Sequence, residues 1–235
     1  MEEPEEIVRI MVVYYSRFGA IAALAGEIAA GARAVAAVEV QLLPVDERPL
    51  DEPRPGESAD DALRRRAALL NDLTAAHALV VGAPAYFGSM ASPLKRFFED
   101  CATASTARLD RSRPWHHYLF LNKVGAAFTS SGTPHGGNEQ TLHSILTLLM
   151  HLGLIIVTPG QRGPILEHPA APYGATAITG PEGNRGLSAE EVEEARHLGQ
   201  RVAEVTTWLR RGWREGAGRP RTPEQEADRP FDPSA

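Results

Sequence analysis

The chain of 235 residues lacks features that define several large classes of protein. Its one cysteine, Cys101, excludes an intramolecular disulfide and is typical of a reducing compartment. Its formal net charge is −6, with four glutamates in residues 1–6, and no basic stripe runs along the sequence. The composition therefore argues against both a disulfide-stapled domain and a nucleic-acid partner.

Long hydrophobic runs are also missing. The most apolar stretch, SILTLLMHLGLIIV at residues 144–157, is 14 residues long and includes His151 and Gly153. A membrane-spanning helix needs about 20 apolar residues, and a secretory signal starts with basic residues rather than acidic ones. We therefore expect no membrane span and a cytoplasmic location.

Short apolar runs rich in β-branched residues alternate with helical stretches. The predicted strands are 7–14, 38–43, 78–83, 123–129 and 153–157. The predicted helices are 20–36, 60–73, 91–101, 138–152 and 188–211, the last starting with a capping box from Ser188 to Glu191. Continuously apolar strands are buried on both faces of a sheet, and the alternation predicts βαβ units in a doubly wound parallel sheet.

The ends of the chain differ from this pattern. Residues 1–6 form an acidic N-terminal extension, and residues 212–235, rich in Pro, Gly and charge, are expected to be a disordered tail. Residues 44–59 hold prolines among acids and are predicted to be a surface excursion. The sequence thus predicts one α/β domain over residues 7–211.

Ligands of open parallel sheets bind outside the carboxyl ends of the strands. The loop after the first strand, residues 16–21 (SRFGAI), combines the hydroxyl of Ser16 and the flexible Gly19 with the start of a helix. These features suit a phosphate group, and the absence of a GK[ST] ending argues against a P-loop. An ordinary strand–helix turn with a serine cap explains the same residues equally well.

Two more loops after strands carry unusual residues. The second, residues 83–90 (APAYFGSM), places Tyr86 and Phe87 where a flat ligand could lie, unless both fold back onto the core. The third, residues 129–138 (TSSGTPHGGN), has four hydroxyls and three glycines, which provide many main-chain and side-chain hydrogen bonds. Because loops after strands one, three and four meet in a doubly wound sheet, the three together predict a mononucleotide pocket.

The motifs YYSRFGAI, GAPAYFGSM, FTSSGTPHGGNEQT and PYGATAITGPEGNRGLSAEE, in this order, resemble those of the WrbA-like family of flavodoxin-fold NAD(P)H:quinone oxidoreductases. The resemblance covers residues 8–210, and the PYGAT stretch is its most specific part. It implies a flavodoxin-like three-layer α/β/α fold. The implied sheet has five parallel strands in the order 2-1-3-4-5 and holds FMN at the strand ends.

The resemblance also assigns site residues. It implies that residues 16–21 cradle the FMN phosphate, that the second loop flanks the isoalloxazine ring, and that the third loop hydrogen-bonds the polar edge of that ring. The implied FMN-binding residues are Ser16, Arg17, Phe18, Gly19, Ala20, Ile21, Pro84, Ala85, Tyr86, Phe87, Gly88, Ser130, Ser131, Gly132, Thr133, Gly136 and Gly137. Trp115 and Phe18 are the implied substrate-binding residues.

The chain departs from the family pattern at several positions. Phe18 and Ala20 stand where the family has a tyrosine and a histidine, and Leu152 stands where it often has a second histidine. Pro134 and His135 replace glycine in the third loop, and the connection at 101–114 is longer than usual. These departures affect the substrate and the rate more than the fold.

The implied function is two-electron, ping-pong hydride transfer from NADH or NADPH through FMN to a quinone. Two alternatives stay open: another FMN-dependent reductase, acting on nitro, azo or flavin substrates, and a non-enzymatic electron carrier of the flavodoxin type. The scheme needs no dedicated acid or base, so we nominate no catalytic residue, although His117 or His135 could donate a proton. We expect no metal site, because His143 and His151 lie about 12 Å apart along one helix. The family resemblance further implies a homo-oligomer, a dimer or a tetramer.

Overall fold

A computed structural model of the chain describes residues 7–106, 120–161 and 171–214. Strands and helices alternate along the chain as predicted. The strands are β1 (Val8–Tyr14), β2 (Val38–Pro44), β3 (Ala78–Tyr86), β4 (Ser89–Met90), β5 (Val124–Ser131), β6 (Ile155–Ile156) and β7 (Ala175–Ile178). The helices are α1 (Ala20–Arg33), α2 (Ala59–Ala75), α3 (Ser92–Thr106), α4 (Asn138–His151) and α5 (Ala189–Arg214).

The main sheet has the order β2-β1-β3-β5-β6, and all of its neighbouring strands are parallel. This order confirms the 2-1-3-4-5 arrangement that the family resemblance implies for the five predicted strands. Every residue of β5 is buried, as expected for a central strand covered on both faces. β2 is exposed at alternating positions because it lies at the edge of the sheet.

The sheet has seven strands rather than the five predicted. The run at 153–157 forms only the two-residue strand β6, and β7 continues the same edge of β5 further along. β4 pairs with β3 in the antiparallel sense and forms a hairpin. These additional strands escaped prediction because two-residue strands have no periodicity and β7 (ATAI) is short and rich in small residues.

Helices cover both faces of the sheet and so complete the three layers. One buried cluster includes Met11, Leu79 and Phe98, and the cluster on the opposite face includes Ile10, Ile28 and Leu198. In the second cluster the backbones of α1 and α5 approach each other closely at glycines. The core therefore lies on both sides of the central strands, and the strand ends are left free for loops.

The helix boundaries follow local capping chemistry. The predicted box at α5 is confirmed, since the Glu191 carboxylate accepts the Ser188 N–H at 2.7 Å and Ser188 Oγ accepts the Glu191 N–H at 3.2 Å. A second capping box, Ser58 with Asp61, starts α2 and ends the exposed connection after β2. α5 continues to Arg214 rather than ending at residue 211. Among the residues that the structure describes, no helix is long and apolar enough to cross a membrane.

Candidate functional site

The register of the sheet brings the carboxyl ends of four strands to one edge. Tyr14 at the end of β1 lies opposite Gly82 of β3, and Pro84 of β3 lies opposite Ser130 of β5. Ser130 in turn lies opposite Ala177 of β7. The three loops singled out in the sequence therefore meet where a doubly wound sheet binds its ligand.

The first loop forms the N-terminus of α1. Ser16 Oγ accepts the N–H of Ala22 at 3.2 Å, so the serine cap that we considered as an alternative is present. Gly19 is the N-cap residue, with φ +96°, and it has no side chain that could take up the next donors. The N–H groups of Ala20 and Ile21 consequently have no partner within the helix.

The electrostatics of this helix start differ from those of most other helices. Helices α2, α4 and α5 have acidic residues in the first turn, namely Asp60 and Asp61, Glu139, and Glu190 and Glu191. The first turn of α1 has none. The positive end of the α1 dipole is thus left uncompensated by acidic side chains of its own, as an anion site requires.

The second loop is the tight hairpin between β3 and β4. Tyr86 pairs with Ser89, and the two residues between them, Phe87 and Gly88, have φ +54° and +72°. Positive φ at both central positions defines a type I′ turn, which is a strained geometry for an aromatic residue. Phe87 is 109% exposed at the tip, so it does not fold back onto the core, whereas Tyr86 is half-buried against it.

Hydrogen bonds and glycine contacts hold the third loop against its neighbours. Thr129 Oγ1 donates to the carbonyl of Ala83 at 2.7 Å, and Ser131 Oγ donates to the carbonyl of Thr133 at 2.7 Å. A Cβ on Gly137 would lie 3.0 Å from Cα of Gly88, so these two loops touch through glycines. The hydroxyls and glycines of this loop therefore have structural roles as well.

A cleft of about 230 Å³ lies between these loops. The predicted residues that line it are Ser16, Arg17, Phe18, Ala20, Ile21, Pro84, Ala85, Tyr86, Ser130, Ser131 and Gly132. The predicted residues Gly19, Phe87, Gly88, Thr133, Gly136 and Gly137 do not line it. His135 is exposed, and Trp115 and His117 lie outside the described residues.

The structure adds a fourth wall that sequence reasoning missed. Residues 179–183, Thr-Gly-Pro-Glu-Gly, follow β7 and line the same cleft. Thr179 joins the third loop, since its N–H donates to the carbonyl of Ser131 at 2.8 Å. The signal was available, because these residues belong to the PYGAT motif stretch, but β7 was not predicted and no strand end pointed to the turn.

A buried tyrosine lies directly before the first loop. The hydroxyl of Tyr15 donates to the carboxylate of Glu47, which ties the connection after β2 to this end of the sheet. Burial, together with the hydrogen bond to Glu47, raises the pKa of Tyr15 to about 12. Tyr15 therefore stays protonated at neutral pH and acts as a structural donor rather than as an acid.

Comparison with known proteins agrees with this geometry. The model of the family described as NADPH-dependent FMN reductase matches residues 15–163. The chain belongs to the NADPH-dependent FMN reductase family. This FMN reductase family member is 37% identical over 211 residues to a protein of Chromohalobacter salexigens named NAD(P)H dehydrogenase (quinone), with 86% of this chain and 98% of the relative covered. A Bradyrhizobium diazoefficiens protein of the same name is 36% identical over the same shares of both chains.

Solved structures show the same fold for this FMN reductase family member. A WrbA-like flavodoxin from Agrobacterium tumefaciens superposes with a TM-score of 0.53 at 23% identity, covering 86% of this chain and 98% of that one. An NADH:FMN oxidoreductase in its apo form gives a TM-score of 0.56 at 15% identity over 84% and 89% of the two chains. The flavodoxin-like fold and the family resemblance stated from the motifs are thereby confirmed.

Proposed function

We propose that the protein is an FMN-dependent NAD(P)H:quinone oxidoreductase. The observation that carries the proposal is the cleft at the carboxyl edge of the sheet, where three further wall segments converge on the start of α1, whose Ala20 and Ile21 N–H groups have no partner within the helix. The family membership and the names of the relatives that match nearly the whole chain support the same activity. In the net reaction NAD(P)H and a proton reduce a quinone to a hydroquinone, and NAD(P)⁺ is released.

The residues of the cleft fit FMN chemically. The start of α1 offers the N–H groups of Ala20 and Ile21 to a phosphate, and no acidic side chain in its first turn opposes the charge. Pro84, Ala85 and Tyr86 give the cleft an apolar wall suited to a flat ring. A phosphate that stays bound needs no lysine of the P-loop kind, which agrees with the sequence of this loop.

The protein's contribution is to bind and orient. FMN supplies the redox chemistry when it is bound, because it can take up and release two electrons. Ser130, Ser131 and Gly132 line the cleft, and in this proposal they hydrogen-bond a polar ring edge, where donors fixed in advance stabilise charge that develops. The close contacts of Gly88 with Gly137 and of Gly136 with Ser131 hold the walls at their separation.

Other assignments follow from the family resemblance and belong to the same proposal. Phe87, at the hairpin tip, flanks the ring at the mouth, and Trp115 contacts the substrate. Gly19 and Thr133 support the phosphate and ring-edge loops from outside the cleft wall. We further propose a cytoplasmic homo-oligomer, a dimer or a tetramer.

A flavin titration followed by steady-state kinetics tests the function. We expect the purified protein to bind FMN stoichiometrically and to oxidise NADH or NADPH with benzoquinone, in parallel-line kinetics typical of one shared site. Efficient turnover of nitro, azo or free-flavin substrates with little quinone reduction would indicate the second type of reductase. Bound FMN with no NAD(P)H oxidation would indicate an electron carrier, and a protein that takes up no FMN would contradict the proposal.

A further inference from the structure

Phe18 and Gly183 meet across the mouth of the cleft. Phe18 belongs to the first loop, Gly183 ends the turn at 179–183, and both line the cleft. A Cβ built on Gly183 would lie 3.3 Å from Cδ2 and 3.5 Å from Cγ of Phe18. The glycine therefore leaves just enough room for the ring, and any side chain there would force the ring to shift by a few tenths of an ångström.

The turn that carries Gly183 is held at both ends. The N–H of Gly183 donates a hydrogen bond to the carbonyl of Gly180 at 3.0 Å, which closes the turn. The N–H and the hydroxyl of Thr179 both donate hydrogen bonds to the carbonyl of Ser131 in β5. After the turn, the guanidinium of Arg185 donates to the carbonyl of Ile178 and pairs with Glu191. Because the turn is anchored to the sheet and to α5, Phe18 is the partner that must adapt.

The ring of Phe18 has freedom to do so. It is 67% exposed, and its other described contact is with the guanidinium of Arg17, whose central carbon lies 5.5 Å from the ring centroid. The Phe18 side chain therefore forms a part of the cleft lining that can change rotamer, whereas the backbone at Gly183 is held in place. The ring lies between the first loop and the 179–183 turn, and both of these segments line the cleft.

We propose that Gly183 is a positioning residue that seats Phe18, and that the seated ring restricts the cleft to narrow aromatic acceptors. One-ring quinones pass the opening, whereas fused two-ring quinones meet the Phe18 side chain. This inference rests on the proposed quinone reductase activity and adds the size class of its acceptor. Phe18 limits access by its bulk, and Gly183 acts only through Phe18.

Removing the ring tests the restriction. For each variant, kcat/KM for 1,4-naphthoquinone is divided by kcat/KM for 1,4-benzoquinone, so that changes in FMN content or overall rate cancel. We expect Phe18→Ala to raise this ratio at least fivefold, because the side wall is lost. Trp208→Ala, which trims a similarly exposed aromatic on α5, should leave the ratio unchanged. An unchanged ratio in Phe18→Ala would overturn the proposal.

A double-mutant cycle tests the role of Gly183. Gly183→Ala should change the ratio at least twofold when Phe18 is present and by less than that in the Phe18→Ala background. Gly183 has φ +71°, so an alanine there is also strained. Gly56→Ala is the matched control, because Gly56 has φ +87°, nothing within 4 Å of a built Cβ, and no part in the cleft.

A second readout needs no flavin. In the apoprotein, Gly183→Ala should lower the unfolding temperature more when Phe18 is present than in the Phe18→Ala background, because the phenylalanine side chain holds the atoms nearest to the new methyl group. Equal decreases in unfolding temperature in both backgrounds would show that only the backbone strain of alanine at positive φ matters, and would overturn the proposed role of Gly183. If the protein binds no FMN or reduces no quinone, the proposed function fails, whereas this coupling in the apoprotein still reports on the contact.

Discussion

Gly19 shapes the start of α1 without lining the cleft. Its φ of +96° turns the chain from β1 into α1, and a built Cβ would meet nothing within 4 Å. Glycine is required there for its backbone conformation rather than for space. That conformation starts α1 at Ala20, and Ala20 and Ile21, whose N–H groups have no partner within the helix, line the cleft. The proposed phosphate site therefore includes Gly19 through the backbone turn that it makes.

Replacing Gly19 by valine should weaken FMN binding at least tenfold. A β-branched residue at positive φ costs on the order of 1–3 kcal/mol, and the loop relieves this strain by leaving the conformation that presents the N–H groups. A tenfold loss corresponds to about 1.4 kcal/mol, within that range. The measurement is the dissociation constant of FMN from the quenching of its fluorescence.

Gly56→Val provides the control for this variant. Gly56 has nearly the same positive φ and equally open surroundings, but it lies in the connection between β2 and α2. The Gly56→Val variant should be less stable than the unsubstituted protein but should keep its affinity for FMN. If both variants bind FMN as the unsubstituted protein does, the phosphate assignment of residues 16–21 is wrong.

At the scale of elements, the crossing of α1 and α5 depends on two glycines. A Cβ on Gly31 of α1 would lie 1.9 Å from the carbonyl oxygen of Arg196, and one on Gly199 of α5 would lie 1.9 Å from that of Ile28. No side chain can occupy such a position without moving a helix backbone. The close approach packs α1, whose first residues Ala20 and Ile21 line the cleft, directly against α5.

Gly31→Ala should therefore destabilise the fold, whereas Gly26→Ala should stabilise it. Gly26 lies in the same helix, and a Cβ there would meet nothing within 4 Å. Alanine at this position should raise the free energy of unfolding by roughly 0.5–1 kcal/mol, because it reduces the backbone entropy of the unfolded chain. The overpacked Gly31→Ala should lose about 1–3 kcal/mol or more. Urea unfolding with a constant m-value measures both.

Equal midpoints for the two variants would contradict this account, because helix propensity alone treats Gly26 and Gly31 alike. Gly199→Ala repeats the test from the partner helix and should resemble Gly31→Ala. The contrast thus separates the intrinsic preference of the helix from the packing between helices.

On the scale of the whole molecule, the hairpin tip indicates contact with something beyond this chain. Phe87 is fully exposed and held at φ +54°, and the described part of the chain does not cover it. An exposed aromatic in a strained conformation is costly unless a ligand or another protein surface covers it. We therefore expect a second subunit to cover the hairpin tip in the proposed homo-oligomer.

We therefore expect the protein to elute as a dimer or tetramer, and Phe87→Ser to shift the distribution toward smaller species. Light scattering coupled to size-exclusion chromatography measures the mass directly. Trp208→Ser is the matched control, since Trp208 is 61% exposed on α5, and it should keep the oligomer intact. A monomer at micromolar concentration in the unsubstituted protein would contradict the proposed assembly.

Much of this molecule could be predicted from local chemistry. Apolar runs rich in β-branched residues predicted β1, β2, β3 and β5 and their parallel arrangement, because a strand buried on both faces has no polar alternation. The order of the strands came from the family resemblance. Ser188 and Glu191 marked the start of α5, because capping requires only residues close in sequence. The three loops could be grouped in advance, because parallel strands present all their carboxyl ends at one edge.

The remaining features depend on contacts between distant parts of the chain. β7 pairs with β5 although the two strands are far apart in sequence, so neither that strand nor the fourth wall at 179–183 could be predicted from its own short pattern. The contact of Gly183 with Phe18 joins two loops, and it depends on the register that places them side by side. The order of the elements and the loops that carry the chemistry follow from local residue patterns, and the sequence is enough to define them. The shape of the cleft between the loops depends on long-range packing, and it is defined only once the chain has folded.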